Sequence, residues 1–148
     1  MMLLLDTNVV SELRKVRFGK AAPGVAAWSE GVDASDLYVS AITLMELELG
    51  ILRLERKDAD QGALLRAWMQ SHVLPEFSER TLSVDPAVAL RCAKLHVPAP
   101  MPERDALIAA TAIVHGMAIV TRNIADFETT GVPIINPWDS SAQLHLGT

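Results

Sequence analysis

Unbroken apolar runs alternate along this chain with stretches whose apolar positions recur every three or four residues. The first run, Leu3-Leu4-Leu5, has no polar interruption and predicts a strand buried on both faces, as in a parallel sheet. A helical stretch over 7–16 follows and ends among Arg14, Lys15 and Arg17, where basic side chains complement the helix dipole. Pro23 opens a second helical stretch carrying Val25, Ala26 and Trp28, and Leu37-Tyr38-Val39-Ser40 is a β-prone second strand. Leu44, Leu47, Ile51 and Leu54 keep helical spacing and form the core stripe of the next helix. Gly50 inside that helix costs about 1 kcal/mol relative to alanine, and the close approach of another backbone would compensate for it. Residues 58–72 predict a polar-faced helix with Leu64, Leu65, Trp68 and Met69 inward, Trp68 serving as core rather than as a base-stacking platform.

Leu82-Ser83-Val84 is a short extended piece before Asp85-Pro86, an N-cap followed by proline at the first helical position. Val88, Leu90, Cys92 and Leu95 lie on the helix that follows, and Pro98, Pro100 and Pro102 mark an extended loop. Pro102-Glu103-Arg104-Asp105 then begins a helix whose small and aliphatic residues, continuing to Val114, predict close packing and burial. His115-Gly116 ends it, glycine being the usual C-terminal signal. Met117–Thr121 is another buried strand, and Val132–Ile135 is the last, placed at an edge by Pro133. Asn136-Pro137-Trp138 closes the fold, with Trp138 as a packing lid. Strands alternating with helices predict α/β layers.

The length of 148 residues fits one domain spanning 1–148, with a tail from about 140 that carries no signal. With half the residues hydrophobic and only 5% aromatic, the core is aliphatic. A net charge of −5 does not suit binding of nucleic acid through bulk electrostatics, so such a partner needs a local site with a cation. Cys92 is the only cysteine, which excludes an internal disulfide, fits a reducing cytoplasm, and reads as a small core residue. His72, His96, His115 and His145 are scattered without paired ligand spacing, which argues against structural zinc. No positively charged leader precedes an apolar run, and no stretch approaches the roughly 20 apolar residues of a membrane span. A cytoplasmic protein without membrane contact is the expectation.

The candidate chemistry lies at the ends of the predicted elements. Asp6 follows the first strand, and open α/β sheets bind ligands outside the carboxyl ends of their strands. Capping of the next helix is the alternative role. Glu46 shares a helix side with Ile42, Leu49 and Gly50, whereas Glu48 falls on a solvated side. A salt bridge is the alternative for Glu46. Asp105 lies in the first turn of its helix, where the dipole keeps a carboxylate ionised and charge compensation alone would explain it. Thr121, Arg122, Asn123 and Asp126 follow a second buried strand.

If the first and fourth strands are parallel neighbours, these groups converge at one edge of the sheet. Clustered carboxylates repel, and one is driven to protonate unless a cation intervenes. An all-oxygen set suits Mg²⁺ or Mn²⁺ rather than zinc, and such ions serve phosphoryl chemistry. Neither G-x-G-x-x-G, nor a P-loop, nor a nucleophilic serine or cysteine motif is present.

Leu-Leu-Leu-Asp6-Thr7-Asn8, Ser40-x-x-Thr43-x-x-Glu46-Leu47-x-x-Gly50 and Asp105-Ala-Leu-Ile-Ala-Ala-Thr-Ala together resemble a PIN domain. Val120-Thr121-Arg122-Asn123-x-x-Asp126-Phe127 and the closing Asn136-Pro137-Trp138 are similar to VapC/FitB-type toxins of bacterial toxin–antitoxin pairs. The resemblance runs nearly end to end. It implies a three-layer α/β/α sandwich with a mostly parallel sheet, Mg²⁺-dependent endoribonuclease activity with Mn²⁺ as a substitute, a homodimer, and a small cognate VapB/FitA-like antitoxin that plugs the active site. The family's first three acids fall on Asp6, Glu46 and Asp105. Its fourth falls on Asn123, with Asp126 as the substitute. Asp6 and Asp105 are then the main metal ligands, and Glu46 completes the shell or orients the attacking water. Thr7, Asn8, Thr121 and Asn123 hold the carboxylates by hydrogen bonds. Arg104 and Arg122 grip RNA phosphates or form salt bridges.

Two rivals are weighed against this reading. A haloacid-dehalogenase-type phosphatase needs a second aspartate two residues after the first, where this chain has Asn8. The other is a FitB-like regulatory module that binds DNA in complex with its antitoxin.

Overall fold

The computed structural model describes residues 1–139 and the backbone of Leu144–His145; most of the tail from 140, including the His145 side chain, lies outside the described residues. The elements run β1 (Leu3–Leu5), α1 (Thr7–Leu13), α2 (Pro23–Glu30), β2 (Leu37–Ser40), α3 (Ala41–Lys57), α4 (Ala59–Trp68) and α5 (Leu74–Glu76). They continue with β3 (Thr81–Leu82), α6 (Pro86–Leu95), α7 (Glu103–His115), β4 (Ala118–Val120), α8 (Ile124–Phe127), β5 (Ile134–Ile135) and β6 (Leu144–His145). The strands form one sheet in the order β3-β2-β1-β4-β5-β6, parallel throughout except for β6. Helices on both faces complete an α/β/α sandwich.

The three leucines of β1 are all buried, because a strand sends alternate side chains to opposite faces and both faces here are covered. Leu3 and Leu5 join Val9, Val39, Leu47 and Ile51 on the side of α1 and α3. Leu4 points the other way, against Ile108, Ala109 and Ala112 of α7. The small residues of α7 let it sit close to the sheet while its far side packs on Val88 and Cys92 of α6. Where the sheet order reverses, between β1 and β4, the chain leaves both strands in the same direction, opening a crevice at their carboxyl ends.

Several local expectations are revised. The stretch read as a helix over 7–16 stops at Leu13 and resumes as a 3₁₀ turn at Val16–Phe18. The helix expected over 58–72 gives way after Trp68 to a π turn over Met69–Val73. The strand expected at a sheet edge is interior: β5 lies between β4 and β6, and Pro133 just before it contributes only a carbonyl, which accepts from Ile119 N–H at 2.9 Å. Glu48 is not simply solvated, since Arg66 of α4 donates to it at 2.6 Å and to Glu55 at 3.0 Å, tying α3 to α4. Gly50 has no close neighbour, for a Cβ built there meets nothing within 4 Å. The close approaches occur at Gly62, 2.6 Å from the Glu55 backbone, and at Gly24, 2.6 Å from the Pro137 carbonyl.

Candidate active site

Asp6 is the residue at which β1 becomes α1. It is only 6% exposed, and its backbone N–H still belongs to the sheet, donating to the Val120 carbonyl at 2.9 Å. Its two carboxylate oxygens are held differently. Oδ1 accepts from the Thr7 backbone N–H at 2.8 Å, the helix cap anticipated as the alternative role. Oδ2 accepts from the Asn8 side-chain amide at 2.9 Å and the Thr121 hydroxyl at 2.8 Å. Capping and site formation are thus the same geometry seen from two oxygens. Burial raises the Asp6 pKa, the bonds from Thr121 and Thr7 partly offset it, and the nearby Glu46 charge adds to the rise.

Asn8 and Thr121 form a brace between β1 and β4. The Asn8 amide also reaches Thr121 Oγ1 at 3.4 Å, while its carbonyl oxygen accepts from Arg122 N–H at 3.2 Å. Thr121, fully buried, accepts in turn from Asn123 N–H at 3.0 Å. Asn123 therefore enters through its backbone, and its side chain carries no charge to the cluster.

Glu46 comes from α3, whose start is fixed by Ser40: its hydroxyl accepts from Ile42 N–H at 3.0 Å. The Thr7 hydroxyl donates to Glu46 Oε1 at 2.7 Å and sits 3.2 Å from Thr43 Oγ1. Thr43 is fully buried, and sequence reasoning assigned it no role. Its spacing was the available signal, since a residue three before Glu46 shares its helix face. Glu46 Oε2 faces Arg104, 3.8 Å from its guanidinium. Among the described residues this is the one salt bridge that Asp6, Glu46, Asp105 or Asp126 makes.

Asp105, in the first turn of α7, completes the convergence. Its carboxyl is pushed up to about 6 by burial and then by the charges of Asp126, Asp6 and Glu46. Three acids from other elements therefore act on Asp105, Glu46 also acts on Asp6, and of the two residues offered for the fourth position it is Asp126 that brings charge. The dipole of α7 does not outweigh burial and repulsion, contrary to the expectation of an easily ionised group. The Arg122 guanidinium lies 5.4 Å from the Trp138 ring centroid. Trp138 itself packs against the core on the α1 side.

The donor set is all oxygen, crowded and short of positive charge. That combination fits a hard divalent cation, whose ligands would come from Asp6, Glu46, Asp105 and Asp126. A second group lies at the α6–α7 junction, where Cys92, His96 and Glu103 bring ligand atoms within 4.8 Å of one another. Cys92 and His96 are four apart on one helix, a pairing missed when the histidines were read as isolated. His96 Nδ1 accepts from Met101 N–H at 3.3 Å, which leaves the proton on Nε2, the nitrogen facing Cys92 and Glu103. In that tautomer Nε2 presents its N–H to Cys92 Sγ at 3.8 Å, with Glu103 Oε2 3.9 Å away, and is not a lone-pair ligand.

A sequence profile of the PIN domain matches residues 3–131. The chain belongs to the PIN-domain family. This PIN domain is 35% identical to "VapC ribonuclease Y4jK" of Sinorhizobium fredii over 93% of its own length and 99% of that protein. It is 34% identical to "Toxin FitB" of Neisseria gonorrhoeae, again covering 93% of this chain and 99% of the relative. The solved FitAcB structure from N. gonorrhoeae superposes with a TM-score of 0.83 at 34% identity, over 93% of this chain and 99% of the other. Among the described residues of this PIN domain, no helix is long and apolar enough to cross a membrane.

Proposed function

We propose that this PIN domain is a Mg²⁺-dependent endoribonuclease, the toxin of a toxin–antitoxin pair. One arrangement carries the reading: Asp6, Glu46 and Asp126 converge on Asp105, and burial together with their charges pushes its carboxyl up to about 6. Such a site is balanced at neutral pH by a divalent cation, and an all-oxygen set selects a hard one. The similar proteins named as ribonuclease and toxin supply the substrate class and the biological setting. A Mg²⁺ held there, or Mn²⁺ in its place, would polarise the phosphate and lower the pKa of a water.

The chain's own residues do the rest. Asp6 and Asp105 are the principal ligands, and Asp126 adds the fourth acid. Glu46, fixed by Thr7 through Oε1, completes the set or orients the attacking water through Oε2, the oxygen that also faces Arg104. Asn8 and Thr121 keep Asp6 Oδ2 from turning away, and Asn123 secures Thr121. Arg104, half-exposed and 3.8 Å from Glu46, would meet a phosphate, and Arg122, beside Trp138, is the second candidate. The working form is a homodimer inhibited by a small VapB/FitA-like antitoxin, acting in the cytoplasm.

The test uses the purified protein, free of antitoxin, with total bacterial RNA. Cleavage should require Mg²⁺, stop with EDTA, and vanish in Asp6→Asn while circular dichroism stays unchanged. A second reading, a DNA-binding module working with its antitoxin, draws on the similar FitAB assembly solved with an IR36 DNA fragment. Inactivity toward every RNA class, together with tight operator binding by the co-expressed pair, would decide for the module.

A further inference from the structure

Gly50 stands in the interior of the 17-residue α3, where glycine is among the poorest helix formers. The fold does not require it, because a Cβ at Gly50 would meet nothing within 4 Å. Gly62 and Gly24 differ, each being pressed against another backbone. What Gly50 does line is a cavity of about 270 Å³, shared with Thr7, Glu46, Arg14, Lys15 and Trp68. Thr7 and Glu46 are hydrogen-bonded members of the acid site, so the cavity adjoins it.

We propose that this cavity is a nucleotide subsite, receiving an unpaired base and its sugar beside the scissile phosphate, and that Gly50 is glycine to keep the space open. The inference rests on the nuclease reading and adds a subsite to it. Trp68 packs on the core yet also lines the cavity, giving a base an aromatic surface. Arg14, whose guanidinium lies 6.0 Å from the Trp68 ring centroid, and Lys15 supply local positive charge for a phosphate on a chain of net charge −5. The volume is many times the roughly 30 Å³ share of one water, and it suits one nucleotide unit rather than a duplex.

Gly50→Ala and Gly50→Leu test this, because both residues are better helix formers than glycine and a Cβ at this position meets nothing within 4 Å. Binding of the decamers A10, C10, G10 and U10 is measured by filter retention in EDTA, with cleavage of total RNA in Mg²⁺ alongside. A second measurement follows quenching of Trp68 fluorescence in a Trp28→Phe/Trp138→Phe background. The expected result is a melting temperature equal to or above wild type, with affinity for the best decamer lowered about tenfold in Gly50→Leu. Gly50→Ala should fall between it and wild type, and Trp68 quenching should be lost in parallel. Variants that bind and cut like wild type overturn the subsite while leaving the nuclease reading intact. A wild-type protein that neither binds nor cuts RNA overturns the nuclease reading itself.

Discussion

The Thr121 hydroxyl donates to Asp6 Oδ2 over 2.8 Å, joining the ends of β4 and β1 across 115 positions of sequence. Both residues are buried, so no water replaces that bond if it is lost. Thr121→Val, of nearly the same shape, should raise the Asp6 pKa further and lower divalent-ion affinity about 10–100-fold. Thr121→Ser should retain most of the affinity. Isothermal titration calorimetry with Mn²⁺ separates the two, and equal affinities for Val and wild type would contradict the assigned role.

Asp105 carries a sign that the metal-free protein should reveal. Its folded pKa is about 6 against 3.8 for an unperturbed aspartate, so folding favours the protonated form. The group therefore destabilises the metal-free fold, fully above about pH 6, and the penalty disappears as pH falls below the unfolded value. Asp105→Asn should melt higher than wild type at pH 7.5 in EDTA, match it near pH 3.5, and be inactive. Divalent affinity of the wild type should also weaken between pH 7 and pH 5 as protons compete.

Gly62 and Gly50 should respond oppositely to alanine. A Cβ on Gly62 would come within 2.6 Å of Glu55 Cα, an overlap that backbone cannot relieve without shifting α4. Gly62→Ala is expected to cost about 1–3 kcal/mol in urea unfolding, the usual range for overpacking. Gly50→Ala should cost nothing.

Arg104 opposes Glu46 at 3.8 Å with about half of its side chain in solvent. Exposed pairs contribute about 0–1 kcal/mol, so Arg104→Ala should leave unfolding nearly unchanged. It removes a cation competing for Glu46, and divalent binding should tighten by up to about fivefold on the same scale. Affinity for RNA should fall in the same variant. Tightened metal binding with unaltered RNA binding would confine Arg104 to the ion pair.

Much of this was visible in sequence because its causes are local. Leu3-Leu4-Leu5 reads as a doubly buried strand, Asp85-Pro86 as a helix start and His115-Gly116 as a helix end, and each appears as such. Asp6, Glu46 and Asp105 were legible as a set only on the condition that the first and fourth strands pair, or through the PIN-like motifs, since no local pattern reports that strands 115 residues apart are neighbours. What escaped depends on tertiary neighbours. Pro133 marks an edge by propensity, but β6 covers β5 from the far end of the chain. Glu48 looks solvated on its own helix until Arg66 arrives from the next. Asn123 and Asp126 could not be ranked from sequence; in the fold the Asp126 charge acts on Asp105, while Asn123 bonds Thr121 through its backbone N–H.

The position of β1 between β2 and β4 also sets when the protein can become active during its synthesis. Asp6 is translated among the first residues, yet its hydroxyl brace and two of its three acidic companions come from beyond residue 104. A ribosome making this chain thus exposes an incomplete cluster until the great majority of it has been translated, and contacts of such long sequence separation form late and slowly. For an enzyme that cuts RNA, that ordering keeps the nascent chain harmless to the message that encodes it.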